Sequence, residues 1–489
     1  MIDFRIPAFL EQKLSAQDTE VRLLSAVVNE AIYYFGEWFR DSTRPFFPHY
    51  TDHNLTHLEG VLATCCSLMT EKAKELFSPS DAAALILSVL FHDSAMQISK
   101  EVFYQLVHNA SERPLIKPFD SLSWQDTWND FFFIARRWDD TKLIDVFGGD
   151  LYRKSQKLVR NPFPHWSNLS DEDYLLVGEF IRQHHARFAH EAALYGIPGV
   201  TGNMYTLSKG ITQEQRDIVG LIGRSHNLPL RTCTDYLLDK YYNKRQYQEI
   251  HAVYLMVLLR VADYLQIKSN RSSALTFEYK KIPSKISEQE HKAHASIRDI
   301  NAENDDSEAL EILAQPQDAP TYLRVQDWIH GIQNELDTSW AVIGEVYNKG
   351  ILRGLGLKFR RIKSNLDNIT HFKQQVDYVP DLIKFDVAHA EVLKLLIGPL
   401  YGEDPSYGVR ELTQNSVDAV NERLQFIKLH PSSQERIYSN YKPEIKIHLS
   451  QPNNEGIASF LALYKFAKLT TYQWVQLSLS KQVPTTIIS

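Results

Sequence analysis

Apolar side chains recur at intervals of three and four residues over about the first 270 positions, and this interval is the period of an α-helix. Ahead of one apolar run, Ser78, Pro79 and Asp81 form a helix-start signature of capping groups and a proline. Alternation with a period of two, which is typical of strands, is scarce. The sequence therefore predicts a mainly α fold here, with an all-helical first domain. The predicted helices are 19–39, 57–77, 78–93, 174–196, 215–227 and 251–267.

The helical pattern loosens after position 275, and this change suggests domain boundaries. We expect short strands and an acidic loop (302–308), then a long helix ended by Gly350 at its C-cap. A second unit follows a linker. The predicted parts are a domain at 1–275, a connecting region at 276–375 and a second module at 376–489.

Composition narrows the class of protein. With 44% apolar and 23% charged residues, the 489-residue chain has the make-up of ordinary globular domains. A net charge of −7 does not favour a nucleic-acid-binding protein overall. The three cysteines include no CxxC pair, which argues against a disulfide framework or a thiolate zinc site. The start of the chain does not resemble a signal peptide, and the most apolar stretch (82–91) is about half of a membrane span. We expect a cytoplasmic protein that does not bind membranes.

The pair His92-Asp93 ends the apolar run at 78–93 and is the first candidate for chemistry. A carboxylate buried in such a helix costs several kcal/mol unless a cation pairs with it. A divalent metal suits both imidazole nitrogen and carboxylate oxygen. A lone helical histidine is more often a hydrogen-bonded or surface residue, and Asp263 beside Arg260 is compatible with a simple ion pair. Further candidate ligands lie on other predicted segments: His53, His57, His184, His185, His226 and Asp263.

The order of these residues resembles the HD superfamily of metal-dependent phosphohydrolases, over about 50–275. Its pattern is a helical His, an adjacent His-Asp pair and a distant Asp. His57 in HLEGV matches the first position, His92 and Asp93 in LFHDSA match the pair, and Asp263 in LRVADYLQI matches the last. The glycine that often follows the pair is Ala95 here, a small departure.

The resemblance extends to subfamilies that hold two metals. His185, or its neighbour His184, and His226 correspond to their additional histidines, and in those relatives the Asp of the pair, here Asp93, bridges both ions. His53 remains open between a ligand, a group that supports the metal ligands and a phosphate-contacting group. The implied cofactor is a divalent metal (Mn, Fe, Co, Ni or Mg), with two ions expected.

The implied activity is hydrolysis of a phosphoester in a nucleotide or nucleic acid. In such a reaction, Asp93 would act at the metals, and Arg182 and Arg224 would stabilise phosphoryl charge. Solvated helix faces are the alternative interpretation of both arginines. The sequence does not select the substrate or the metal, and an oligomer is possible.

A second constellation lies in RELTQNSVDA near the end of the chain. Glu411, Asn415 and Asp418 are spaced by four and three, which places them on one helical face. The string resembles the asparagine box of the GHKL ATPases, a group that includes gyrase, heat-shock chaperones and histidine kinases. Over about 380–450, this resemblance implies an α/β module in which Glu411 orients water and Asn415 and Asp418 bind the cofactor Mg-ATP.

The rest of the GHKL pattern is missing. No aspartate follows Asp418, and Gly456 is the only glycine after Gly408, so an Asp-x-Gly-x-Gly segment for adenine is not present. The strand 444–450 fits, but the tail from about 458 does not match, as after a truncation or a shifted reading frame. We expect that the tail cannot complete the sheet, that the module is incomplete and that ATP hydrolysis does not occur.

Two competing functions remain open at this point. One is a chaperone-like or signalling ATP-binding protein in which the HD domain is a sensor. The other is a non-catalytic interaction protein with a structural metal site, which would lack an open coordination position for water.

Overall fold

The structure is a computed structural model whose contacts divide the chain into two units, residues 1–382 and 383–489. It describes residues 4–42, 44–47, 55–108, 113–148, 159–199, 204–267, 285–380, 410, 413–418, 420–421, 424–425, 445–449, 458–465, 472–479 and 486–488. The chain is mainly helical with small sheets, so the predicted fold class is confirmed.

The first unit contains fifteen α-helices within the described residues. They are α1 (Ala8–Leu14), α2 (Thr19–Asp41), α3 (Leu55–Leu68), α4 (Glu71–Leu76), α5 (Pro79–His92), α6 (Lys100–His108), α7 (Trp124–Ala135), α8 (Asp140–Phe147), α9 (Asp171–Tyr195), α10 (Gln213–Ser225), α11 (Leu230–Asp239), α12 (Ala252–Tyr264), α13 (Lys285–Ser296), α14 (Ala319–Tyr347) and α15 (Ile369–Lys373).

Capping groups set the start of the helices that matter most here. In front of α5, the Ser78 hydroxyl accepts from the Asp81 backbone N–H, and the Asp81 carboxylate accepts from the Ser78 N–H. The same reciprocal capping box precedes α9 and α10. Such boxes satisfy N–H groups that a helix leaves unpaired at its first turn. They fix where α5, α9 and α10 begin and so the register of their later residues.

Helices α5 and α12 form the centre of the core. Every residue of α5 from Ser80 to His92 is buried, as is every residue of α12 from Ala252 to Ala262. Helix α5 packs against α2, α9, α10 and α12, and α12 also packs against α3 and α14. Because polar side chains are costly in such an interior, those that remain are expected to have partners. His92 and Asp263 lie at the C-terminal ends of these two helices and meet there.

Small sheets complete the first unit. Strands β1 (Ile197–Pro198) and β2 (Met204–Tyr205) pair antiparallel, which departs from the all-helical expectation for this part of the chain. The expected strands of the connecting region are present as β3 (Ile297–Ala302) and β4 (Ala309–Ala314), which pair antiparallel. Strand β5 (Arg361–Ser364) adds to β4 in parallel.

The connecting region packs against the helical domain within the first unit. The long helix predicted there is α14, and Gly350 follows it with a φ of 70°. The buried ion pair between Arg260 of α12 and Glu335 of α14 joins the two, with an Nε–Oε1 distance of 2.6 Å. The predicted boundary at 275 lies outside the described residues and stays a prediction.

In the second unit, the described strands form one antiparallel sheet in the order β6-β7-β8-β9. They are β6 (Ile445–Leu449), β7 (Ala458–Lys465), β8 (Tyr472–Leu479) and β9 (Thr486–Ile488). The tail from 458 contains three of these strands, and β7 pairs directly with β6. The expectation that the tail cannot complete the sheet of a GHKL module stays a prediction. In neither unit is any described helix long and apolar enough to cross a membrane.

Candidate metal centre

His92 is the last residue of α5, and its backbone setting determines which ring nitrogen is available. The ring is fully buried, and its Nδ1 lies 2.7 Å from the carbonyl oxygen of Val89. A carbonyl can only accept, so Nδ1 carries a proton, and the neutral form of the ring keeps its lone pair on Nε2. Nε2 is also buried and has no hydrogen-bond partner among the described residues. This ring therefore offers one buried nitrogen to a cation.

Three other predicted ligands lie close to that nitrogen, and together with His92 they form a group of four. The donor atoms of His57, His92, Asp93 and Asp263 all lie within 4.8 Å of one another. His92 Nε2 is 3.1 Å from Asp93 Oδ2 and 3.8 Å from Asp263 Oδ1, and His57 Nε2 is 3.5 Å from Asp263 Oδ1. Helices α3, α5 and α12 thus bring together residues that are up to 206 positions apart in the chain, from His57 to Asp263. We call these four residues the first donor group.

A second donor group consists of Asp93, His185 and His226, whose donor atoms also lie within 4.8 Å of one another. His185 Nδ1 is 2.8 Å from the Arg182 carbonyl, and His226 Nδ1 is 2.6 Å from the Gly223 carbonyl. As for His92, these contacts put the proton on Nδ1. The two Nε2 atoms face each other at 2.7 Å.

Asp93 belongs to both donor groups and offers each a different oxygen. Its Oδ2 is 3.1 Å from His92 Nε2 and 3.6 Å from His57 Nε2. Its Oδ1 is 3.7 Å from His185 Nε2. This carboxylate therefore lies between the two groups, in the position that a bridging ligand would occupy.

The pKa shifts show that the site favours positive charge. Burial alone would lower the pKa of His92, but Asp93 and Asp263 outweigh burial and raise the pKa well above its usual value. Burial alone would raise the pKa of Asp263, whereas the neighbouring His92 lowers it. Burial and the neighbouring His185 lower the pKa of His226 to about 4. Near pH 7, the site therefore combines a neutral His226 with two carboxylates that attract a cation.

The donor set and its spacing fit a divalent metal ion. Ligand bonds of about 2.1 Å place donors about 3.0 Å apart at right angles and about 4.2 Å apart when opposite. The histidine–carboxylate distances within the first donor group span 3.1–3.8 Å. Imidazole and carboxylate donors without thiolate suit first-row transition metals. The buried His/Asp group can therefore hold a metal ion.

His184 lies in neither donor group. Its ring packs against Phe180, with centroids 4.6 Å apart, and faces the edge of Trp124. Burial and the nearby Arg187 lower its pKa to about 4. Adjacent helical residues point about 100° apart, and here the His185 ring faces Asp93 and His226, whereas the His184 ring faces Phe180 and Trp124. Of the two alternatives left open by the sequence, the structure brings His185 to the donors, which corrects the inclusion of His184.

The two predicted arginines are held by carboxylates. Arg182 donates to Glu179 through Nε and Nη2, both at 2.8 Å. Arg224 is buried and donates to both oxygens of Asp120, at 2.8 and 2.7 Å. The roles of both arginines in charge stabilisation stay predictions. Arg182 is the weaker candidate, because its side chain is partly exposed on α9 whereas that of Arg224 is buried.

A cavity of about 240 Å³ adjoins these helices. Its wall includes Arg224, Asp120 and Arg187, and Arg187 Nε lies 3.5 Å from Asp120 Oδ1. Sequence reasoning missed Asp120, because it lies in a segment ahead of α7 that carries no periodic or motif signal. A lone acid 104 positions before its arginine becomes a candidate only when the two meet in space.

The remaining predicted site residues are Asn415, Asp418, His53 and Glu411. Asn415 and Asp418 are exposed on a short helical stretch, and Asp418 accepts from Gln414 at 2.9 Å. His53 and Glu411 lie outside the described residues. Binding of Mg-ATP by this module therefore stays an untested expectation.

Comparison with known proteins places the donor groups in a family. Residues 47–338 match the HD-CE family, and this span contains both donor groups. No curated protein and no solved structure matches the chain. Because the HD-CE match spans more than half of the 489 residues, this chain belongs to the HD-CE family.

Proposed function

We propose that the protein is a metal-dependent phosphohydrolase whose two donor groups hold two divalent ions. The observation that carries the proposal is the position of Asp93, which turns one oxygen towards His92 and the other towards His185. A carboxylate placed in this way is suited to bridge two metals about 3.5–4 Å apart, the spacing of two-metal phosphoryl-transfer sites. Mn, Fe, Co, Ni and Mg are the candidate ions.

Bound divalent ions would polarise phosphoryl oxygens and lower the pKa of a bound water towards neutrality. The chain's own residues prepare for this chemistry. Backbone carbonyls hold the Nδ1 protons of His92, His185 and His226, so each ring presents Nε2 without reorganisation. Arg224, two residues before His226, carries a positive charge whose geometry Asp120 fixes. We propose that it stabilises charge on the phosphoryl oxygens.

For the substrate, we propose a phosphoester in a nucleotide or nucleic acid, and a small nucleotide fits better. The cavity beside α9 and α10 has a volume of about 240 Å³, which is small for a ligand pocket. The net charge of −7 also gives no general attraction for a polyanion such as duplex DNA.

Metal analysis followed by an activity screen tests the proposal. Purified full-length protein is analysed for bound metals by element and then assayed with phosphomonoesters and phosphodiesters in Mn, Co, Ni, Fe or Mg. We expect metal-dependent turnover that His92→Ala and Asp263→Asn reduce at least a hundredfold, because each removes a donor.

The matched control is His165→Ala, which removes an exposed imidazole that belongs to neither donor group. It should keep both metal content and turnover. Metal bound in full, with no turnover of any phosphoester, would instead favour a structural metal site.

A further inference from the structure

We infer that the cavity between α9 and α10 binds a second phosphoryl group of the substrate, next to the one that is hydrolysed; this inference rests on the proposed function. The cavity wall combines two buried guanidinium groups, the Asp120 carboxylate that lies between them, and neutral polar side chains. The two guanidinium groups belong to Arg187 of α9 and Arg224 of α10. The chemistry of this wall is that of a site for an oxygen-rich anion.

The described charged groups that contact one another at and beside the cavity do not balance. Arg187 Nε lies 2.8 Å from Glu191 Oε1 and 3.5 Å from Asp120 Oδ1, and Arg224 takes both oxygens of Asp120. Arg113 lies 3.6 Å from the other oxygen of Glu191. Among the residues that the structure describes, these contacts join three guanidinium groups to two carboxylates, which leaves one positive charge in excess within this set. Buried charges are normally paired, so an anionic ligand would complete this network.

Donors that face the cavity are available for such a ligand. His184 and Asn227 contribute to the wall, and their side chains make no hydrogen bond to other described residues. A phosphoryl group has three oxygens that accept several hydrogen bonds at once, whereas a neutral apolar ligand would leave these groups and the excess charge uncompensated. The wall therefore favours a phosphoryl group over an apolar one.

The cavity adjoins the second donor group through shared segments. On α9, His184 and Arg187 line the cavity, while His185 between them belongs to the donor group. At the end of α10, Arg224 and Asn227 line the cavity on either side of the donor His226. Neighbouring residues of the same two segments thus line the cavity and supply the second donor group. One substrate can therefore place one phosphoryl group at the donor group and the adjacent phosphoryl group in the cavity.

Phosphate binding tests the cavity without any catalysis. Inorganic phosphate is titrated calorimetrically into the full-length protein after a chelator has removed divalent ions. Ser121 is exposed at the cavity, so Ser121→Asp places a carboxylate there with little effect on folding, and Ser121→Asn is its neutral control. We expect Ser121→Asp to weaken phosphate binding about tenfold through charge repulsion and Ser121→Asn to change it less than about twofold. Equal weakening by both variants, or no saturable phosphate binding by the wild type, would overturn the assignment.

Substrate pairs then identify the source of the anion. With metal restored, KM is compared for a nucleoside carrying one phosphate and the same nucleoside carrying two adjacent phosphates. We expect at least a tenfold lower KM with two phosphates in wild type and Ser121→Asn, and a ratio near one in Ser121→Asp. Phosphate binding with no KM difference in the wild type would mean that the cavity holds a free anion, which contradicts the substrate assignment. No turnover of either compound would contradict the proposed function. The calorimetric titration would still show whether the cavity binds phosphate, because it does not depend on turnover.

Discussion

The Nε2 atoms of His185 and His226 face each other at 2.7 Å, although each ring places its proton on Nδ1. Two unprotonated nitrogens at this distance oppose their lone pairs, which is unfavourable unless a proton or a cation lies between them. Burial and His185 lower the pKa of His226 to about 4, so a proton is disfavoured on His226 near pH 7. A metal ion that accepted both lone pairs would resolve this opposition.

The first prediction concerns the number of metals. We expect His226→Ala to lower bound metal from about two equivalents to about one, because it removes a ligand of the second donor group alone. Metal content is measured by element-resolved mass spectrometry on the purified variant. The control His165→Ala should keep about two equivalents. A wild-type protein with one equivalent, unchanged in His226→Ala, would contradict the two-metal proposal.

The second prediction separates the shared carboxylate from an unshared one. Asp93→Asn should lower the affinity for both ions, since an amide cannot offer two negatively charged oxygens to two metals. Asp263→Asn should weaken mainly the ion of the first donor group, to which this residue is confined. Competition with a fluorescent chelator gives both dissociation constants. If Asp263→Asn removes both ions as completely as Asp93→Asn does, the assignment of separate groups fails.

The first donor group could be predicted from sequence because its signals are local. The capping box at Ser78 and Asp81 fixed the start of α5, and the apolar run fixed its burial, so His92 could only lie at a buried helix end. In the same way, the apolar run that forms α12 predicted that Asp263 lies near the end of a buried helix. The choice between His184 and His185 could not be made in this way. In α9, the apolar residues around this pair do not define one buried face, and rotation about the helix axis decides which ring turns inward.

Contacts between distant segments explain what the sequence did not predict. The pairing of Asp120 with Arg224 depends on the path of a non-helical segment, for which the chain carries no periodic signal. The strands in the tail were missed for another reason. The expectation for the tail rested on a family pattern that stops near 458. The segment YQWVQLSL (472–479) nevertheless has aromatic residues and alternating apolar residues, which favour a strand, and it forms β8.

The third prediction concerns acid stability. Burial alone would raise the pKa of Asp217, but hydrogen bonds from His190, Tyr236 and Tyr242 outweigh it and lower the pKa below its usual value. A carboxyl group whose pKa is lowered by folding stabilises the fold at pH values above its unfolded-state pKa of about 4. This stabilisation is lost as the pH falls through the folded-state pKa.

We therefore expect Asp217→Asn to lower the free energy of unfolding at pH 7 by about 1–3 kcal/mol and to flatten its decrease below about pH 4. Urea denaturation at a series of pH values measures both effects. Asp235→Asn, at an exposed position on α11, is the control and should leave both unchanged. An unaltered acid limb in Asp217→Asn would contradict the role of this network.

The fourth prediction concerns the second unit. No aspartate follows Asp418, so a group to accept from the adenine amino group is not available there in the manner of the GHKL ATPases. A site for a base loses much of its affinity when that partner is missing, because buried polar groups stay unpaired. We expect no saturable binding of an ATP analogue at about 1 mM by calorimetry. Micromolar binding that Asn415→Ala abolishes would show that the tail supplies the missing contacts.

The last prediction concerns the contact that holds α9 against α10. A Cβ at Gly220 of α10 would lie 2.4 Å from Cδ2 and 2.8 Å from the carbonyl oxygen of His190 on α9. His190 cannot turn away at low cost, because its Nε2 is bound to Asp217 at 2.8 Å and its carbonyl belongs to the backbone. Gly220→Ala should therefore force the two helices apart and lower the free energy of unfolding by about 1–3 kcal/mol.

Since α9 carries His185 and α10 leads into His226, the same change should also weaken binding of the ion at the second donor group. The matched control is Gly344→Ala on α14, where a Cβ meets no atom within 4 Å. There alanine should raise the free energy of unfolding by about 0.5–1 kcal/mol, because glycine costs conformational entropy inside a helix. Chemical denaturation of both variants, with metal titration of each, measures the effects. If Gly220→Ala were as stable as Gly344→Ala and bound metal equally well, the close approach of α9 and α10 would not control the geometry of the second donor group.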